Sequence, residues 1–227
     1  MRRGLDLARF LYVSVNEGLG RLLFGRSQVA RTDGRVHLDE LGLGAKDRIS
    51  YTPSGWLTLR RALPPRSVDR GDVFIDYGSG KGRVVLQAAA RYPFKRVIGL
   101  EISADLNEFA QRNLAAGRDG LACEQVELVI ADVLEYEPPD DVTVAYMYNP
   151  FRGDVFATAV RRLIASVDRN PRRLRIVYVN PIDHDLLLAT GRVELTRRLR
   201  GLRPTKSWSR AASTHVYEVV PRVEQSL

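Results

Sequence analysis

From residue 73 onward, short apolar runs alternate with longer stretches whose apolar positions recur at helical spacing. Val73, Phe74 and Ile75 form a run closed by Asp76, the pattern of a strand buried on both faces. Beyond Gly78, Gly80 and Gly82, the positions Val84, Val85, Ala88 and Ala89 predict a helix. Arg96 to Ile102 reads as a second strand carrying Glu101 near its end, and Ala104 to Ala115 as a helix with Leu106, Phe109, Ala110 and Leu114 inward. Val126 to Ile130 predicts a third strand, running out at Asp132. Val142 to Tyr148 predicts a fourth, closed by Asn149-Pro150-Phe151. A helix over Asp154 to Val167, a strand over Leu174 to Val179 and a short helix over Ile182 to Ala189 follow. The pattern then changes. Val193 to Leu199 and His215 to Val220 read as two strands separated by a basic, irregular stretch, which predicts an antiparallel hairpin. The fold class expected is α/β: a doubly wound, mostly parallel seven-strand sheet ending in an antiparallel hairpin, preceded by an N-terminal helical arm.

Upstream of this alternation the chain has a different character. Residues 1–24 carry apolar positions at helical spacing with Arg2, Arg3, Arg9 and Arg21 among them, and Gly18 and Gly20 weaken the middle. Its apolar runs fall short of the roughly 18 residues of a membrane span. Asp6, Arg9, Asn16 and Glu17 interrupt any signal-peptide core. An amphipathic basic arm of this kind can pack on its own domain as a lid, join a dimer, or lie on a membrane surface. Residues 25–50 are polar and glycine-rich and read as a linker. Tyr51-Thr52-Pro53-Ser54 then precedes Trp56, Leu57, Leu59 and Leu63, an ordinary helix entry with Thr52 as the cap. Residues 1–48 are therefore expected to form an arm and linker, and residues 49–227 one domain.

Composition narrows the setting. With 44% hydrophobic residues the chain can build a globular core. Cys123 stands alone, so no internal disulfide forms and a reducing, cytoplasmic setting is expected. Three histidines and one cysteine offer no metal-ligand cluster. The net charge of +8 favours acidic partners such as nucleic acid or an anionic membrane. The arginines are scattered, however, which fits a generally solvated basic surface.

The candidate chemistry sits at the predicted carboxyl ends of the strands, where ligands bind in open α/β sheets. Strand, glycine turn and helix let a cofactor lie against bare backbone near a helix N-terminus. A dinucleotide fingerprint would place its third glycine where Arg83 stands. Asp76, Glu101 and Asp132 end consecutive strands, and Glu101 follows Gly82 by 19 residues. A carboxylate at that point can accept both hydroxyls of a ribose, and one at Asp132 can accept from an adenine amino group.

The run Asp76-x-Gly78-x-Gly80-x-Gly82, with the acids behind it, resembles the class I methyltransferases that use S-adenosylmethionine. The Tyr51-x-Pro53-Ser54 pattern is similar to the segment preceding the first strand in their lysine methyltransferase subgroup without a SET domain. The resemblance covers Tyr51 through Val220. It implies S-adenosylmethionine as cofactor, held by Tyr51, Thr52, Asp76, Gly78, Gly80, Gly82, Glu101, Asp132 and Asn149. Asn149-Pro150-Phe151 resembles the motif with which amine methyltransferases hold a planar amine, with one proline fewer, and its Asn-x-Phe spacing also resembles the lysine methyltransferases. On that resemblance Asn149 and Phe151 are candidate catalytic residues, and the acceptor expected is an amine on a protein or small molecule. Tyr148, which alternation puts on one side of the strand with Tyr146, can line the pocket, and His184 with Asp183 is the base candidate by its place after the fifth strand. Oxygen acceptors, nucleic acid, or a non-catalytic nucleic-acid-binding module using Arg197, Arg198, Arg200, Arg203, Lys206 and Arg210 are the alternatives. Phe151 and Tyr148 read equally as core, and His184 as a structural histidine ahead of a helix.

Overall fold

A computed structural model describes residues 7–8, 11–15, 18–20, 22, 32, 34, 36–37, 47, 49–201 and 209–220. Seven strands, β1 (Val73–Tyr77), β2 (Arg96–Glu101), β3 (Gln125–Ile130), β4 (Val144–Tyr148), β5 (Arg175–Val179), β6 (Val193–Leu199) and β7 (Thr214–Val219), form one sheet. Its order is β3-β2-β1-β4-β5-β7-β6. The first five strands are parallel, while β7 runs antiparallel to both β5 and β6. The predicted hairpin is thus present, with its second strand inserted beside β5.

The helices are α1 (Thr58–Ala62), α2 (Arg83–Arg91), α3 (Ala104–Ala116), α4 (Gly153–Arg169) and α5 (His184–Leu188). Apolar side chains on the two faces of the sheet build two cores. Ile75, Tyr77, Met147 and Tyr178 meet Phe156, Val160 and Leu163 of α4 on one face. Phe74, Tyr146, Val177 and Val216 meet Leu59 of α1 and Val84, Val85 and Ala88 of α2 on the other. A strand covered on both faces needs apolar residues at every position, which is why β1 shows no alternation.

The structure departs from the sequence pattern in three places. Helix α1 starts at Thr58 with Leu57 at its cap, so Thr52 and Pro53 lie in the extended lead-in. Phe109 faces outward on α3 beneath the Lys81 and Arg112 cations, and Asn107 and Asn113 are buried instead. Asn113 Nδ2 donates to the Lys81 carbonyl, which holds the glycine turn against this helix. Third, described residues of the stretch read as a loop or linker touch the domain: Thr32 is buried and Val36 pairs with Tyr51. Arg2, Arg3, Arg9, Arg21, Arg203 and Lys206 lie outside the described residues.

Candidate functional site

The turn after β1 needs its glycines. Gly78, Gly80 and Gly82 have φ of +73°, +54° and +79°, a region that disfavours a Cβ. The amides of Gly78 and Ser79 donate to the Leu100 carbonyl at 2.9 and 3.0 Å, tying the turn to β2. Each glycine also admits a neighbour that a side chain would displace. Pro150 Cβ lies 2.6 Å from where a Cβ on Gly78 would stand, Ala110 closes on Gly82 at 3.0 Å, and the Tyr51 ring lies against Gly80. The space beside Gly80 therefore belongs to Tyr51.

Three acids gather at the carboxyl ends of β1, β2 and β3. Glu101 is buried, and its carboxylate accepts from the Gly80 amide at 2.7 Å and the Ser103 amide at 3.0 Å. Burial raises its pKa, and the backbone N–H groups at Ser103, Gly80 and Ile102 oppose that rise. Asp76 is buried as well, and burial followed by the Glu101 charge pushes its pKa well above the usual carboxylate range. Asp132 Oδ1 accepts from the Leu134 amide at 3.0 Å. All three line one cleft of about 870 Å³, its open mouth included.

A segment upstream of α1 closes this cleft from above. Tyr51 donates its hydroxyl to the Thr32 carbonyl at 2.8 Å. Ser54 Oγ and the Tyr146 hydroxyl share a buried hydrogen bond of 2.9 Å. Arg83, buried at the start of α2, donates to Thr32 Oγ1 and the Ser54 carbonyl at 3.0 Å each and stacks over Trp56 at 4.4 Å. Sequence reasoning missed Arg83 as part of the cleft wall; Ser54 belongs to the Tyr51-x-Pro53-Ser54 pattern, and Tyr146 shares the face of Tyr148 by strand alternation. An arginine where a fingerprint glycine would stand is the one signal that could have drawn notice to Arg83. Nothing in the pattern marks Thr32.

The acceptor corner follows β4. Asn149 has φ of +42°, a conformation asparagine tolerates better than most residues. It is 3% exposed, and its Oδ1 has no hydrogen-bond partner among the described residues. Ser79 Oγ, in the glycine turn, is in the same condition. Tyr148, Pro150 and Phe151 form the adjacent cleft wall, and Asn149 sits behind them. Tyr146 and Tyr148 face the same side of β4, as alternation requires, and both reach the cleft. Phe151 is buried in the apolar core, edge-on to Tyr77 at 6.3 Å, and also borders the cleft. Backbone bonds pin the upstream segment to this corner, from Ile49 N to the Pro150 carbonyl at 3.0 Å and from Arg152 N to the Asp47 carbonyl at 2.8 Å.

His184 is placed elsewhere. It is not among the residues lining the cleft. Its Nδ1 lies 2.6 Å from the Tyr217 hydroxyl, which also meets His215 Nδ1 at 3.1 Å. Of the sequence-derived candidates, Tyr51, Thr52, Asp76, Gly78, Glu101, Asp132, Tyr148 and Phe151 share the cleft, while Gly80 and Gly82 shape the turn beneath it. Among the described residues no group of His, Cys, Asp and Glu is arranged to hold a metal ion.

The sheet order, its antiparallel end and the glycine turn facing three strand-end acids define the fold of the class I S-adenosylmethionine-dependent methyltransferases. Solved structures agree. An RNA methyltransferase from Salinibacter ruber in complex with S-adenosyl-L-homocysteine superposes with a TM-score of 0.51 at 20% identity, over 78% of this chain and 99% of its own. The YcgJ protein of Bacillus subtilis gives 0.54 at 12% identity, over 73% and 99%. Within that fold, the family described as "Histone methylation protein DOT1" matches residues 59–122. A histone-lysine N-methyltransferase, H3 lysine-79 specific, of Drosophila melanogaster is 37% identical over 62 residues, which are 27% of this chain and 3% of that protein. A protein-lysine N-methyltransferase of Saccharolobus islandicus is 30% identical over 66 residues, 29% of this chain and 41% of that protein. This chain thus resembles the histone methylation family over residues 59–122, from α1 to the loop before β3, and it spans less than half the length of either lysine methyltransferase relative.

Proposed function

We propose that this protein transfers a methyl group from S-adenosylmethionine to an amine, with a protein lysine side chain as the foremost acceptor and a small-molecule amine as the next. The observation that carries the reading is convergence: Asp76, Glu101, Asp132, the glycine turn, Tyr148 and Phe151 border one cleft at the carboxyl edge of a methyltransferase sheet. The residue types fit the cofactor. Ser79 Oγ and Asn149 Oδ1 are buried polar atoms awaiting a partner, and the acids suit a ligand that carries a cationic sulfur, hydroxyls and an adenine amine. Glu101 and Asp132 would hold the ribose and adenine, and Asp76 with Tyr51 and Thr52 the methionine end. When bound, the cofactor supplies a methyl group already activated by its sulfonium.

The chain's own task is then alignment and exclusion of water. Tyr148 and Phe151 border the acceptor side, and Asn149 Oδ1 accepts an N–H of the incoming amine. Holding the nucleophile in line can supply about 7–11 kcal/mol of the barrier. A lysine ammonium would first give up a proton to water at the open mouth of the cleft. The neutral amine then attacks the methyl group and keeps its remaining protons as the methylated ammonium. His184, which does not line the cleft, is assigned no part in the transfer. The buried, unpaired thiol of Cys123 supports a reducing, cytoplasmic setting. Calorimetric titration with S-adenosylmethionine, S-adenosylhomocysteine and NAD tests the cofactor. Binding of NAD alone would sink the proposal. Radiolabelled methyl transfer to lysine-containing peptides, small amines and RNA tests the acceptor, and label appearing only in RNA would refute the amine assignment.

A further inference from the structure

The arm upstream of the cleft presents an apolar stripe away from the protein. Leu7, Leu11, Val15, Gly18 and Leu22 follow one another at intervals of 4, 4, 3 and 4 residues, the spacing of a single helical face. The described residues of this stretch are helical. The stripe does not pack on the domain. Leu7, Leu11, Val15 and Leu22 are 60%, 54%, 62% and 81% exposed, and no atom lies within 4 Å of the Cβ position at Gly18. Ala8, Tyr12 and Leu19, each one residue further along, are half-buried, and Gly20 is buried with the Trp56 ring against it. The arm is therefore docked through its small and mixed face, with Leu7, Leu11, Val15 and Leu22 outward.

An outward stripe of this size needs an occupant, and charge selects one. Residues 1–26 hold Arg2, Arg3, Arg9, Arg21 and Arg26 against Asp6 and Glu17, a surplus of three positive charges. We infer that this arm lies on an anionic lipid surface, its stripe in the headgroup boundary and the net positive charge of the stretch drawn to the lipid phosphates. Basic residues flanking an apolar face of moderate hydrophobicity are what interfacial helices use, and each arginine adds attraction to anionic headgroups. A second copy is the poorer partner, because both copies would bring the same surplus of three positive charges together. Among the described residues no helix is long and apolar enough to cross a membrane. This inference goes beyond methyl transfer and does not depend on it.

The test is co-sedimentation of the full chain with phosphatidylcholine vesicles, with and without phosphatidylglycerol. Binding to the anionic vesicles only is expected. Leu11→Glu should weaken it about 10-fold or more, because a carboxylate replaces an inserted side chain. Val13→Glu carries the same charge change off the stripe and should weaken it far less. Thermal melts of both variants should match the parent, since both positions are exposed. Absence of vesicle binding, or equal losses in the two variants, overturns the inference. So does a dimer in sedimentation velocity, without lipid, that Leu11→Glu disperses: that result assigns the stripe to a second copy.

Discussion

Glu101 is placed to join stability to cofactor binding, and Glu101→Ala separates the two quantities. Its carboxylate accepts from two backbone amides, those of Gly80 and Ser103. Truncation leaves both N–H groups without that acceptor, at about 1–3 kcal/mol each. Part of this is returned, because burial raises the Glu101 pKa and alanine removes the desolvated charge. A net loss of about 3 kcal/mol should lower Tm by about 6–12 °C for a chain of this size. Affinity for S-adenosylmethionine should fall by about 10- to 150-fold, the range for hydrogen bonds to a charged group. Calorimetric melts give the first quantity, and isothermal titration well below the variant's Tm gives the second. Glu101→Gln keeps one acceptor oxygen and should fall between parent and alanine in both. An unchanged Tm would refute the claim that Glu101 holds the turn, and unchanged affinity in a folded variant would remove it from the ribose.

Other perturbations test the remaining parts of the site. Asp76 has a raised pKa, so the penalty of its buried charge is full above that folded value and vanishes once pH falls into the ordinary carboxylate range. Asp76→Asn should therefore raise Tm at neutral pH, flatten the gain in stability on acidification, and weaken cofactor binding, as melts at about pH 5 and about pH 8 with titration would show. Gly80→Val places a branched side chain at φ +54° and against the Tyr51 ring; it should cost about 1–3 kcal/mol from the backbone alone and impair cofactor binding, and normal melts and titrations would contradict this. Phe151→Ala should lose about 3–5 kcal/mol in denaturant melts as a core truncation, and a smaller loss would assign the ring to the cleft alone. His215 is pushed down to about 4 by burial, by His184 and by Arg198, so its contribution is full above its usual 6.5 and is lost as pH falls towards 4. His215→Gln should remove that part of the acid sensitivity, and an NMR titration of the parent should find the histidine neutral at about pH 6.

Sequence pattern reveals the central strands because both of their faces are covered, so apolar residues run on without alternation. The run Val73 to Ile75 is legible for that reason, and the terminal hairpin because helical spacing stops before it. Patterns fail where two faces compete. Phe109 is the most apolar residue of its helical turn, yet the small Ala110 is what lets α3 approach Gly82, and that contact turns Phe109 outward. Long-range pairings were equally invisible. Thr32 to Arg83, Ser54 to Tyr146 and Asp47 to Arg152 join residues far apart in the chain, and no local spacing encodes them. His184 shows the opposite error. Location after β5 suggested the cleft, whereas the neighbouring strand β7 offered Tyr217 as a closer partner.

The strained and under-satisfied groups of this chain cluster at the carboxyl edge of its sheet. Asp76 and Glu101 are buried carboxyl groups there, and Asn149 and Asn180 are the non-glycine residues with positive φ among the described residues. Both asparagines precede a proline, at the ends of the adjacent strands β4 and β5. Asn149 Oδ1 and Ser79 Oγ add buried atoms without partners. Each feature lowers the stability of the folded chain, by about 1–3 kcal/mol for an unpaired buried polar group and a similar amount for a strained backbone. At the opposite edge Arg96 pairs with Glu127 and Asp141, and Arg175 with Asp72, although Arg175 Nε is also buried without a partner among the described residues. The positive-φ asparagines and the buried carboxyl groups lie on the cleft side, where a ligand can reach them. A ligand that supplies an N–H to Asn149 and a donor to Ser79, and that neutralises Asp76, offsets part of that cost, so binding should stabilise this edge more than any other part of the chain.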